Sequence, residues 1–392
     1  MPETTAPFTD QELTNLRSLF PHTEQDKIYF NHAAIGPLST AVTNAIDKRL
    51  QDRGSGRIDT FDRDAATAEM VRRYLSRLIN APSEDRIAFV SNTSGGLNLV
   101  ASGLKWSEGD HILINDMEFP ANVYPYKNLE KQGVEVEQLS CPEGRITAEQ
   151  IAGALRPSTC LVAVSAVQFL NGYRSDLKAI GEICRQNDCW FVVDAIQALG
   201  AVPLDVQRAH IDALVAGSHK WLMAPQGIAT LYVSENLQQA IKRHYVGWLS
   251  VREPWKLFDT DQQLDPTARR FELGTPNFSG LIGLRASLEM LFETGPQKAA
   301  RQIRRLTDHL IETFREWDDV SLLTPVQWEE RAGIVTINLP DHIDNQKFIQ
   351  SLKDQNLYIA LRENNLRLAP HYYNTMEEID RAVKLIRSTL AG

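Results

Sequence analysis

Between residues 86 and 233 the chain alternates short apolar runs with helical stretches, a rhythm that few architectures accommodate. Arg86 to Val90, His111 to Asn115, Val134 to Leu139, Cys160 to Val164, Trp190 to Asp194, Ala213 to Ala216 and Ile228 to Val233 read as buried strands. Helical patterns at Gly96 to Leu104, Thr147 to Leu155 and Asp176 to Gln186 lie between several of them. Such alternation predicts an α/β fold with a large, mostly parallel, doubly wound sheet. The pattern then changes. A helical region runs from Gly280 to about Trp317 with a break near Gly295-Pro296, followed by a strand over Gly333 to Leu339 and a helix over Asn345 to Gln355. A strand near Tyr358 to Leu361 and a last helix from Glu377 to Leu390 complete a smaller α+β C-terminal domain. The expected division is a helix within residues 1–20, a large domain over 21–265 and a small domain over 266–392.

A length of 392 residues suffices for a large core and a second domain. The net charge of -9 argues against a nucleic-acid partner, which would call for a basic face. No apolar run reaches the roughly 18 residues of a membrane span, and the N-terminus is polar and acidic rather than signal-like. A cytoplasmic chain with no membrane partner is expected. Cys141, Cys160, Cys184 and Cys189 form no C-x-x-C pair and no metal-type spacing with histidine, so no metal site is expected.

Lys220 closes the run Val215-Ala216-Gly217-Ser218-His219-Lys220-Trp221, ahead of Pro225 and Gly227. A lysine in this apolar, turn-rich setting has two readings. Its stem packs inward while the ammonium escapes to water, or it is an amine nucleophile, its pKa lowered by burial, that forms a Schiff base with a carbonyl compound. Upstream, Trp190-Phe191-Val192-Val193-Asp194 ends in a carboxylate, where parallel sheets place ligands. That carboxylate either caps a helix or pairs with a protonated pyridine nitrogen, the standard partner for a lysine-bound pyridoxal phosphate. Asp194 and Lys220 together favour the cofactor. Thr93-Ser94-Gly95-Gly96 opens a helix near Leu97, where hydroxyls and free N–H groups suit a simple cap or a phosphate.

Asp194-x-x-Gln197 followed by Ser218-His219-Lys220 resembles the class V aminotransferase family, the fold-type I pyridoxal-phosphate enzymes that include cysteine desulfurases. The likeness continues along nearly the whole chain. Asn31-His32-Ala33-Ala34-Ile35-Gly36-Pro37 resembles the family's N-terminal segment, and Ser91-Asn92-Thr93-Ser94-Gly95-Gly96-Leu97-Asn98 its phosphate-binding turn. Phe271-Glu272-Leu273-Gly274-Thr275-Pro276-Asn277 resembles a loop that reaches the partner subunit's site, and Arg367-Leu368-Ala369-Pro370-His371-Tyr372-Tyr373-Asn374 the substrate-carboxylate motif.

The resemblance implies pyridoxal 5′-phosphate, a small amino-acid substrate, a homodimer with shared active sites, and an N-terminal helix packed with the small domain. It implies Lys220 and Asp194 as catalytic groups, with Thr93, Ser94 and His219 on the phosphate. Ser218 is one position displaced from the Ser-Gly-His-Lys of many desulfurases. Phe119 falls where the family stacks a ring on the pyridine, and Gln197 would reach the 3′-oxygen. Gln168, beyond another strand end near Asn171, is a second candidate contact. Arg367 would grip the substrate carboxylate, with Arg362 as its rival. Thr275 would contact the neighbouring subunit's phosphate, and Asn31 and Trp248 would border the substrate.

Phe119 replaces a histidine used by desulfurases, so proton transfer must fall to Lys220 or a water. In those enzymes a mobile-loop cysteine from the C-terminal half carries the persulfide, whereas no cysteine follows Cys189 here. A persulfide mechanism is therefore disfavoured. The expected activity is that of a class V aminotransferase, with a cysteine or cystine C–S lyase second and an amino-acid epimerase third. A non-catalytic cofactor-binding protein and a cofactor-free α/β protein are the rivals outside catalysis. Retention of Asp194, Lys220 and Arg367 argues against a dead scaffold.

Overall fold

The computed structural model describes residues 7–242 and 245–391. Its large sheet holds β1 (Ile87–Val90), β2 (His111–Asn115), β3 (Glu135–Leu139), β4 (Thr159–Ser165), β5 (Trp190–Asp194), β6 (Ala213–Gly217) and β7 (Ala229–Val233). They lie in the order β1-β7-β6-β5-β4-β2-β3. Only β7 is antiparallel to its neighbours; the pairs from β6 across to β3 are parallel. Side chains alternate across the pleat. Val162, Val164, Phe191 and Val193 enter one core, together with the helices Phe61–Leu78, Leu177–Gln186 and Phe278–Thr294. Leu161, Ala163, Val192 and Val215 enter a second core on the other face, under the helix Thr93–Gly103. Burial on both faces is why these strands read as continuous apolar runs, and helices on both faces make the sheet doubly wound, as expected.

A third core joins Leu306, Leu310 and Phe314 to Ile379 and Ile386. They cover a four-stranded antiparallel sheet of β8 (Ser321–Leu322), β9 (Val335–Asn338), β10 (Ala360–Arg362) and β11 (Asn365–Leu368), ordered β10-β11-β9-β8. The single strand expected near Tyr358 to Leu361 is in fact two pieces. Leu357–Tyr358 pairs in parallel with Ile28–Tyr29, whereas β10 turns back into β11. Glu363 and Asn364 have positive φ (46° and 61°), as a two-residue type I′ hairpin turn requires.

Two segments pack across the boundaries expected at residues 20 and 265. Ile28 and Phe30 belong to the third core, while Leu281, Leu284 and Leu288 belong to the first. The N-terminal helix Asp10–Arg17 begins with a Thr9/Glu12 capping box and is tied by Arg17 to Glu378 at 2.9 Å and by Glu12 to Lys298 at 2.6 Å. Among the described residues, no helix is long and apolar enough to cross a membrane.

Candidate active site

The loops after β1, β2, β4, β5 and β6 open at one edge of the sheet, the carboxyl edge where α/β proteins bind ligands. They border a cleft of about 320 Å³. Asn92, Thr93 and Ser94 come from the loop after β1, Phe119 from that after β2, and Phe169 from that after β4. Asp194 and Gln197 follow β5, and His219 and Lys220 follow β6. Ala33 and Ala34 reach in from the N-terminal segment, while Arg362 and Arg367 come from the β10–β11 hairpin.

Asp194 is buried, and Ile196 N–H donates to its Oδ1 at 2.9 Å. Burial raises its pKa, the nearby Glu118 adds to the rise, and Lys220 opposes it. No helix begins at this position, so the carboxylate is not a helix cap. Burial pushes the Lys220 pKa down, against the pull of Asp194 and with help from the charges of Arg367 and Arg362. Its Nζ lies 5.9 Å from the centroid of the Phe119 ring, which meets Phe169 edge-on at 5.3 Å. Phe119 is half exposed rather than a core residue.

The Thr93–Gly103 helix is capped by Asn92, whose side chain accepts from Gly95 N–H at 2.8 Å. Thr93 Oγ1 accepts from Gly217 N–H at 3.0 Å, leaving its own proton free to donate. Gln197 is buried; its amide donates to Ala33 O and its carbonyl accepts from Trp221, both at 2.9 Å, with one amide hydrogen to spare. Ser218 does not line the cleft, and its Oγ is buried without a partner among the described residues. Asn31 does not line the cleft either, and its buried Oδ1 likewise lacks a partner among the described residues.

Arg367 is 2 % exposed, donates to Phe169 O at 2.6 Å, and has a buried Nε without a partner. Burial and the neighbouring Arg362 push its pKa down to about 9. A buried guanidinium with no carboxylate against it is a receptor for an anion.

Other expected residues lie elsewhere. Gln168 donates to Glu118 at 3.0 Å and Asn171 to Gly144 O at 2.7 Å; neither lines the cleft. The loop that carries both has turned inward to satisfy buried groups. Thr275 and Tyr245 border a separate cleft of about 820 Å³, and Trp248 packs edge-on against Trp255 at 5.3 Å. One residue the motifs passed over is Glu118. Its buried carboxylate accepts from Asn115, Asn122, Gln168, and the Ser165 backbone at 2.7 Å, forming a polar floor beneath Phe119 and beside Asp194. Its one signal is an acidic residue directly before Phe119-Pro120 in a segment that must turn back over the sheet.

A lowered-pKa amine, a buried carboxylate without an ion-pair partner among the described residues and a helix N-terminus bearing Thr93 and Ser94 occupy one cleft, and together they fit pyridoxal phosphate. The family model for aminotransferase class-V matches residues 28–381. An uncharacterized aminotransferase, YcbU of Bacillus subtilis, is 29% identical, covering 94% of this chain and 95% of that protein. A cysteine desulfurase of Salmonella agona is 32% identical over 80% of each. The cystine C–S lyase C-DES, in complex with its product cysteine persulfide, superposes with a TM-score of 0.84 at 25% identity, covering 94% of this chain and 99% of that one. A lysine-to-alanine mutant of C-DES carries glycine covalently linked to the PLP cofactor (TM-score 0.85, 25% identity, 94% and 98% covered).

Proposed function

The chain belongs to the class V aminotransferase family, a pyridoxal-phosphate-dependent enzyme family, and from that premise we propose that it transaminates a small amino acid with Lys220 as its base. The supporting observation is the buried, anion-free Arg367 in the same cleft as Lys220 and Asp194. Thr93, Ser94, His219 and the helix N-terminus would hold the phosphate, Phe119 would cover the ring, and Gln197 would donate its spare hydrogen to the 3′-oxygen. Bound pyridoxal phosphate supplies an electron sink for charge that develops at the substrate's α-carbon. Asp194 would keep a proton on the pyridine nitrogen. Arg367 would clamp the α-carboxylate with a planar fork that lysine cannot reproduce. Lys220 Nζ, whose ammonium burial disfavours, would in its neutral form remove the α-proton and deliver it onward. Thr275 and Trp248 would complete the site from a partner subunit in a homodimer, since neither lines the cleft of its own chain.

The likeness to a cystine C–S lyase favours β-elimination as the second reading. Persulfide transfer by a cysteine is supported by neither position nor chemistry. No cysteine lines the cleft, and burial pushes the Cys141 thiol up to about 12 and the Cys189 thiol up to about 11. Cofactor-loaded protein offered single amino acids without an oxo acid separates the readings. Stoichiometric oxo acid with loss of the visible band supports transamination. Continuous pyruvate and sulfide from cysteine or cystine would replace it with C–S lysis.

A further inference from the structure

The cleft holds one guanidinium more than an α-carboxylate needs. Arg362 and Asn365 are cross-strand partners, as are Ala360 and Arg367. Partners share a face of the ribbon, and residues two apart along a strand share it too. Arg362 and Arg367 therefore stand on one face as diagonal neighbours, within reach of long side chains. The tight turn at Glu363-Asn364, with positive φ at both residues, locks that register. Both side chains border the cleft.

Neither guanidinium forms an ion pair among the described residues. Arg367 bonds Phe169 O, and Arg362, half-buried, bonds the carbonyl of its neighbour Leu361 at 2.7 Å. The two charges act on each other, since Arg362 contributes to the lowered pKa of Arg367. One carboxylate relieves the buried Arg367 and leaves Arg362 uncompensated. A second carboxylate, two or three carbons from the first, relieves both. Phe119, Phe169 and Ile196 line the same cleft, and its other polar side chains, apart from Asn92, are those assigned above to the cofactor.

We propose that Arg362 is a specificity residue that selects amino acids or oxo acids carrying a second carboxylate on the side chain, while Arg367 holds the α-carboxylate. This rests on reading the cleft as an amino-acid site, and a binding measurement tests it whichever reaction follows.

The probe is succinate, compared by titration calorimetry on the cofactor-loaded protein with succinamate, its neutral-ended analogue. Wild type should bind succinate about 10- to 100-fold more tightly, the contribution of a charge-assisted bond. Arg362→Gln should bring the two ligands within about threefold of each other while succinamate affinity holds, and Arg362→Lys should restore part of the preference. Unchanged visible absorbance and melting temperature show that the variants are folded and loaded. Equal wild-type affinities would overturn the proposal. Equal weakening of both ligands in Arg362→Gln would overturn it too, by showing that both arginines share one carboxylate. A C–S lyase with a strong succinate preference would defeat the transaminase reading and leave this one standing.

Discussion

The surroundings of Lys220 make an ammonium expensive, which suits the reactive amine proposed for it. Burial lowers the pKa, and Asp194 only partly offsets it. A lowered pKa means that the neutral amine persists to lower pH than on a surface lysine. In apoprotein the rate of pyridoxal-phosphate capture should rise with pH and level off below the ordinary lysine value of 10.5, read by stopped-flow absorbance. Arg367 makes the second residue-scale prediction. Arg367→Lys keeps the charge but loses the fork, and should raise KM for amino acids about 10- to 100-fold, the equivalent of roughly 1.5–3 kcal/mol. That Lys220, Asp194 and Thr93 meet in one cleft was legible because each sits near a strand or helix end, whereas Arg367 was found only through the motif around it. Arg362 stood only as a rival and Glu118 not at all, because their placement depends on a hairpin register and on side-chain packing. Nothing in a linear sequence shows that Gln168 spends its amide on Glu118.

Elements carry these residues to the cleft, and two contacts fix them there. A Cβ added at Gly96 would lie 2.5 Å from Val215 Cγ1, so the helix bearing Thr93 and Ser94 can approach β6 this closely only with glycine. Gly96→Ala should lift that helix, costing roughly 1–3 kcal/mol of stability and more cofactor affinity than Gly95→Ala, measured by fluorescence titration. Farther out, Arg72 grips Glu272 through two bonds of 2.9 and 2.8 Å, and Glu272 also accepts from Phe89 N–H within β1, ahead of the site's first loop. Glu272→Gln leaves the buried Arg72 with only the partly exposed Glu69, at 3.4 Å, and should cost about 3 kcal/mol in denaturant unfolding. The central strands of the large sheet were readable from their two-sided burial, whereas the edge strand Glu135–Leu139 has no buried residue. The helices Thr40–Gly54 and Phe61–Leu78 were passed over, the first because only Val42 and Asp52 are buried along it, which leaves no apolar stripe to see.

At the scale of the whole molecule, the small lobe supplies the two arginines and the sheet supplies everything else that lines the cleft, apart from Ala33 and Ala34. Thr275, Tyr245 and a row of exposed aromatics including Trp255 and Phe258 stand away from it. A homodimer that buries them should sediment as a single species at twice the chain mass, and Thr275→Ala should weaken cofactor binding although Thr275 lies outside its own chain's cleft. A monomer with full cofactor affinity would contradict the shared site. The architecture could be read from alternation, whereas the expectation that Thr275 reaches a partner subunit rested on the resemblance alone, because the pattern of one chain does not record which face meets another. The central claim is that Lys220 carries pyridoxal phosphate. Its most direct test is borohydride reduction of the cofactor-loaded protein followed by peptide mass spectrometry. The account predicts one pyridoxyl group per chain, on the peptide containing Lys220, and none there in Lys220→Ala. A label on another lysine, or no label on a protein saturated with the cofactor, would contradict it.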